Sequence, residues 1–373
     1  MTATTRPEFG SVSEPTLYVA FELSAKQWKL AMTSGVSVVR TVPAGDLRAV
    51  ARAIADGRRR FQLAANAPVL SCYEAGRDGF WIHRALTALG MANRVVDSAS
   101  IEVNRRARRA KTDRLDALKL VRMLIRVCGG ERDVWREVRV PAVEAEAARS
   151  VSRERSALVQ EQTRLINQMR SWVTVWGARL PSRRTGSWWR TIRDWAGTVL
   201  PTAVQARLER AAARWAVLET QVADLDRYQA TLVQTAPAET ALGCLVRLKG
   251  VATTSASTLI DEGLIWRAFQ NRRQIGGLLG FAPTPYDSGE TRQEQGISRA
   301  GNPRLQAVAI QLAWNWVRWQ PDSPLTRWYR DRFASTKRWR RIGIVAVARR
   351  LIIALWRYAT TGVVPAQAIV KRA

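Results

Sequence analysis

The chain has 373 residues, with 59 Lys and Arg against 31 Asp and Glu, a formal net charge of +28 and a single histidine. That excess of cations points to a polyanionic partner, most simply nucleic acid, while one histidine excludes two-histidine metal sites and histidine-rich nuclease motifs, leaving carboxylates, hydroxyls and cations to carry any chemistry. Cys72, Cys128 and Cys244 lack paired spacing, which argues against a disulfide framework or a zinc ribbon and makes them buried thiols, and apolar runs such as Ile342 to Ala348 are too short to span a bilayer.

Residues 1–16 are rich in Thr, Ser, Pro and Glu and read as a flexible arm rather than a signal peptide; with no membrane partner expected, the protein is expected in the cytoplasm. Residues 17–130 read as an α/β domain. Leu17 to Leu23, Trp28 to Met32 and Val36 to Val39 look like strands, Asp46 to Ala55 like a helix and Val69 to Glu74 like a buried strand. Trp81 to Leu89 follows as a helix with His83 as an ordinary packed or surface residue, then Arg94 to Asp97 as a short strand and Lys111 to Ile125 as a helix. Strands first and then alternating strand and helix is the layout of an α/β fold. Just before the last helix come five cations, Arg105, Arg106, Arg108, Arg109 and Lys111, and then Asp113 and Asp116. Carboxylates at i and i+3 share a helix face and can hold a divalent cation, while the basic run neutralises phosphates. The combination points to phosphodiester chemistry.

Residues 131–238 read as a helical linker and coiled coil. Val151, Leu158, Leu165, Met169, Trp172 and Trp176, and again Leu208, Ala211, Trp215, Leu218, Val222, Leu225 and Leu232, follow heptad-like steps, so a helical arm for self-association is expected ahead of an intramolecular hairpin. Trp188 and Trp189, set between arginines, are the best candidates among the tryptophans for stacking on a base. Residues 239–373 form the last expected domain, mainly helical. Leu245 to Ala252 reads as a helix-hairpin-helix-like element able to offer backbone N–H groups to a phosphate. Trp314, Trp316, Trp319 and Trp328 are expected in the core. Ser298, in Gly296 to Arg304, is either a nucleophile toward phosphorus among the cations Arg299 and Arg304 or the N-cap of a helix beginning near Pro303.

Taken together, Glu22, Tyr73-Glu74-Ala75, Lys111 to Ala117, Leu248-Lys249-Gly250-Val251, Leu279-Gly280-Phe281-Ala282-Pro283 and Ser298-Arg299-Ala300-Gly301-Asn302 resemble the DEDD transposases of the insertion-sequence one-ten family, over about Leu17 to Thr361. The resemblance implies a RuvC-like domain of RNase H fold, a coiled-coil arm and a C-terminal transposase domain. It also implies an acidic quartet on Glu22, Glu74, Asp113 and Asp116 that binds Mg²⁺, and a catalytic serine on Ser298. The implied partners are target and donor DNA, a noncoding bridge RNA that pairs with both, and further copies of the chain, a dimer that becomes a tetramer when active. One departure is Glu22, where the family has Asp; the extra methylene displaces a ligand in a site with tight octahedral demands. Asp78, beside Glu74, reads as a solvated turn residue. Two alternatives stay open: a hydrolytic RuvC-like nuclease or junction resolvase, and a non-catalytic nucleic-acid-binding relative.

Overall fold

The computed structural model describes residues 14–101, 112–288, 291–298 and 300–371. They belong to two compact units, residues 1–141 and 142–373.

The first unit is a mixed sheet with helices on both faces. Its elements are β1 (Leu17–Leu23), β2 (Gln27–Thr33), β3 (Val38–Pro43), α1 (Leu47–Arg60), β4 (Val69–Glu74), α2 (Trp81–Ala88), β5 (Ala92–Val96) and α3 (Asp113–Cys128). The strand order is β3-β2-β1-β4-β5, with β1, β2 and β3 antiparallel and β1, β4 and β5 parallel. The central strand is apolar on both faces because helices cover both. Its alternation separates two cores. Leu17, Val19 and Phe21 point into the face that also buries Val50, Ile54, Ile82 and Leu86 of α1 and α2. Ala20 points the other way, and with Ala31 and Cys72 it makes a floor of small side chains for Leu120, Val121 and Leu124 of α3. Each large side chain so buried contributes about 1.5–3 kcal/mol, and the small floor is what lets α3 lie close to the sheet. α3 starts where Thr112 accepts a hydrogen bond from the Leu115 N–H as N-cap, two residues after the expected Lys111.

The second unit is mainly helical, so the expected succession of an α/β part and a largely α part is what the chain adopts. It opens with two long helices, α4 (Val143–Thr174) and α5 (Thr202–Thr235). Arg155 pairs with Asp226 and the Arg207 guanidinium lies 3.8 Å from the centre of the Trp172 ring, so the helices run antiparallel. The heptad seams meet each other within the chain: Leu165, Met169 and Val173 pack on Leu208, Ala211 and Ala212, with Trp172, Trp176 and Trp215 at the margin. This is the intramolecular hairpin, the arrangement expected second. The hairpin leaves Val217, Tyr228 and Leu232 exposed along α5. Trp188 is buried in the same core and Trp189 packs against it edge-on, so the expected base-stacking pair is used in packing.

The remaining elements are α6 (Ala241–Arg247), α7 (Thr253–Leu259), a π-helical turn at Ile260–Leu264, α8 (Arg272–Leu278), β6 (Pro283–Ser288), β7 (Thr291–Ile297), α9 (Pro303–Trp319), α10 (Pro324–Phe333) and α11 (Lys337–Thr361). Leu312, Ala313 and Trp316 of α9 and Val347, Leu351 and Leu355 of α11 form the middle of their core. Trp328 packs against that core, whereas Trp314 and Trp319, expected inside, are exposed. The β6–β7 ribbon has no counterpart in the sequence reading, because prolines in β6 and polar residues in β7 hide the alternation that marks a strand. No helix among the described residues is long and apolar enough to cross a membrane.

Candidate functional site

Two places carry the residues singled out from sequence, one in each unit. In the first unit, Glu22 lies opposite Lys29 in the antiparallel β1–β2 ladder. The parallel register between β1 and β4 pairs Phe21 with Tyr73, so the next residues, Glu22 and Glu74, stand side by side at the carboxyl ends of neighbouring strands, the end where open α/β sheets bind their ligands. α3 packs across β1 and β2 and brings its first turn to Lys29, whose Nζ is 3.8 Å from Asp113 Oδ2. Asp116 follows one turn later, half-buried, while Glu74 and Asp113 are exposed. Lys29 was not foreseen: it is the cation that links β2, and through it the Glu22 position, to the Asp113 end of α3.

The four carboxylates are hard oxygen donors of the kind Mg²⁺ selects, and register and packing carry Glu22, Glu74 and Asp113 to one end of the sheet. In donor chemistry they suit such a cation, but among the described residues no three acidic side chains are gathered at metal-binding distance. The two aspartates also sit in the first turn of α3, where a negative charge is worth about 0.3–1 kcal/mol against the helix dipole. Arg105, Arg106, Arg108, Arg109 and Lys111 lie outside the described residues. Asp78 is 3.9 Å from Arg77, consistent with a turn residue. His83 Nδ1 lies 3.0 Å from Asn93 Nδ2, and burial first, then Arg84, holds its imidazole below the ordinary histidine range, in keeping with a packed residue. Cys72 and Cys244 are buried and Cys128 half-buried, all three as free thiols.

In the second unit the two motifs Leu279 to Pro283 and Ser298 to Asn302 are clamped together. The Ser298 N–H donates to Ala282 O at 2.9 Å, and the Asn302 N–H donates to Leu278 O at 2.8 Å. Between them Gly301 lies so close to the turn after α8 that a Cβ would come within 2.3 Å of Gly280 N and 2.4 Å of the Leu279 carbonyl carbon. Glycine is there because the two backbones touch. The N-cap of α9 is Asn302, whose side chain accepts from the N–H groups of Arg304 and Leu305. Capping, the structural role considered for Ser298, is therefore filled by another residue, and Ser298 stands half-buried at the base of the β6–β7 ribbon. Arg299 lies outside the described residues.

Asn302 also leads to a buried charge network absent from the sequence reading. Its Nδ2 donates to Glu262 Oε2 at 2.8 Å. Glu262 is fully buried, with Arg153 Nε and Nη2 at 2.8 and 3.0 Å from its two oxygens, Arg149 at 3.7 Å and Arg304 at 3.9 Å. Burial opposes its charge, but the hydrogen bonds from Arg153 and Asn302 and the nearby guanidinium charges prevail and hold the carboxyl below its usual range. The neighbouring Asp261 behaves in the opposite way. Burial, with the adjacent Glu262 charge, pushes its pKa up to about 6 against the hydrogen bond it accepts from Ser152. The legible trace of this network was the Asp261-Glu262 pair directly after the apolar Leu259-Ile260, since buried charges occur paired.

The helix-turn-helix of α6 and α7 is present, and two amides of its turn are used within the fold. The Lys249 N–H donates to Ile369 O and the Val251 N–H to Leu248 O, and the buried amide of Gln320 stitches Lys249 O and Ile369 O together.

Residues 243–327, which include Glu262, Ser298, Asn302 and Arg304, match the family model described as "Transposase IS116/IS110/IS902 family". A Sinorhizobium fredii (strain NBRC 101917 / NGR234) protein named "Putative transposase y4rJ" is 36% identical over 95% of this chain and 94% of its own length. A second protein of that strain, y4qE, carrying the same designation, is 29% identical over 78% of this chain and 75% of its own. The transposase for insertion sequence element IS1328 of Yersinia enterocolitica is 26% identical over 45% of this chain and 49% of its own.

Proposed function

The chain belongs to the IS116/IS110/IS902 transposase family, and from that membership we propose that it performs RNA-guided DNA cleavage and strand exchange for its insertion sequence, with Ser298 as nucleophile. The observation that carries this reading is the clamped serine segment: a hydroxyl on a backbone fixed at both ends, relieved of the capping role by Asn302. In the step proposed, Ser298 Oγ bonds to the scissile phosphorus as the bond to the leaving sugar oxygen breaks, and that oxygen departs as a hydroxyl with the proton given up by the serine. One phosphoester replaces another, so the energy for rejoining is conserved. Arg304, at the start of α9, stabilises the charge that develops on the phosphate.

Glu22, Glu74, Asp113 and Asp116 would hold Mg²⁺, which when bound supplies charge stabilisation to phosphate oxygens. The mixed strand order of the first unit supports an RNase H-type, RuvC-like assignment for this part. The partners proposed are target DNA, donor DNA and a bridge RNA, and the +28 net charge suits all three. Self-association, as a dimer or as a tetramer in the active complex, is proposed to use the stripe of α5 that the hairpin leaves exposed, around Val217, Tyr228 and Leu232.

The test is Ser298→Ala in the full chain with its copurified RNA. The variant is expected to bind RNA and DNA as wild type does and to give no strand-exchange product. Efficient cleavage by the variant would return the protein to the hydrolytic class, and recombination by RNA-free protein would remove the guide.

A further inference from the structure

The corner between α10 and α11 concentrates cations around an exposed indole. From residue 327 to residue 341 the chain carries Arg327, Arg330, Arg332, Lys337, Arg338, Arg340 and Arg341 against one carboxylate, Asp331. Three of these cations are used locally: Arg327 donates to Gln367 Oε1, Arg330 to Pro321 O and Arg340 to Ala334 O. Arg332, Lys337, Arg338 and Arg341 are exposed, and among the described residues they make no ion pair or hydrogen bond. Four cations kept close together without counter-charges repel one another, and a polyanion relieves that cost.

The indole is Trp339, 50% exposed. Its position is fixed by what lies beneath it. The Phe333 ring, 6.2 Å away between centroids, supports it, and Phe333 is itself stacked on Tyr329 and met edge-on by Trp328. Phe333 can enter this place only because residue 343 is glycine: a Cβ there would come within 2.4 Å of the Phe333 ring. The backbone is fixed as well, since Trp339 N–H donates to the hydroxyl of Thr336, the N-cap of α11. A rigid aromatic platform half open to solvent and ringed by unpaired cations differs from an ordinary solvated basic helix, on which cations stand without an apolar surface at the centre.

We propose that this corner is a binding site for unpaired nucleic acid, in which Trp339 stacks on an exposed base and Arg332, Lys337, Arg338 and Arg341 contact the flanking phosphates. The indole specifies the single-stranded class, because a base within a duplex has no free face to offer, whereas the cations alone would serve either form. The site is independent of the identity of the nucleophile.

The experiment uses the full chain, freed of bound nucleic acid in high salt, and measures its binding to a single-stranded DNA, a single-stranded RNA of the same sequence and the corresponding duplex. Trp339→Ala is expected to weaken binding of the single strands at least about tenfold and that of the duplex less than about twofold; Trp339→Phe is expected to keep most of the affinity. Loss with RNA alone or with DNA alone identifies which strand the site takes. Combined Lys337→Ala, Arg338→Ala and Arg341→Ala substitution, which leaves the aromatic side chains in place, is expected to lower the log–log salt dependence on single strands by about 2, at roughly 0.7 per phosphate contact. The proposal is overturned if Trp339→Ala binds single strands as wild type does, if it loses single strands and duplex equally, or if its only effect is a change in oligomeric state.

Discussion

Glu74 and Asp113 stand exposed at the end of the mixed sheet, where Lys29 approaches Asp113 to 3.8 Å. Glu262, in the other unit, has no exposed surface and is held by Arg153, Arg149, Arg304 and Asn302. The difference separates two uses of a carboxylate. A buried one must have its lone pairs satisfied, or desolvation expels it, and once satisfied it has nothing left for a ligand. Carboxylates left at a strand end with few partners keep their oxygens available to a cation. On this view Glu262 holds the serine segment in shape through Asn302, and the acids at the strand ends are the ones proposed to act on an incoming group.

The largest effect on stability is expected for Glu262→Ala, which strands Arg153 and Arg149 without their counter-charge. The loss should be about 3–5 kcal/mol in chemical denaturation, with strand exchange lost alongside. A variant within 1 kcal/mol of wild type would show the network to be dispensable.

Asp261 comes next. Its pKa is raised to about 6 in the fold, so the fold favours its protonated form, and the stability from this group is fully present below the ordinary aspartate pKa and lost as pH rises through about 6. Wild type should therefore gain stability from this residue as pH falls from 7 toward 5. Asp261→Asn should be the more stable protein at pH 7.5, by on the order of 2 kcal/mol for a displacement of about two pH units. Parallel melting curves for the two proteins between pH 5 and pH 8 would contradict the assignment.

Asp113→Ala should have the smallest effect on stability, since an exposed pair contributes about 0–1 kcal/mol, yet it should abolish strand cleavage. Glu22→Asp sharpens the contrast: it should keep or raise activity if the residue is a ligand, whereas full activity in Glu22→Ala would take the position out of the site.

Much of the sheet was legible because its strands carry their burial in the sequence. Leu17 to Leu23 reads as buried, and Glu22, Glu74 and Asp113 fall at the ends of elements that apolar periodicity defines. What was not legible depends on partners remote in sequence. Lys29 acquires its role from a helix that begins at Asp113, and Glu262 acquires its role from arginines on α4 and an amide on α9. The heptads of α4 and α5 showed that an apolar stripe needs covering, but such spacing is the same for a neighbour in the same chain and a neighbour in another. The ribbon that carries Ser298 at its base escaped notice because prolines and polar residues suit a loop as well as they suit a two-stranded element.

The central claim is a phosphoserine on Ser298, and trapping tests it most directly. Wild-type protein with its RNA would be reacted with nicked or suicide DNA substrates, the covalent complex digested, and the peptide bearing the nucleotide identified by mass spectrometry. The account predicts the adduct on the peptide containing Ser298 and on that hydroxyl. Efficient cleavage with no adduct would contradict it, and so would an adduct on a different hydroxyl, such as Ser288 at the far end of β6.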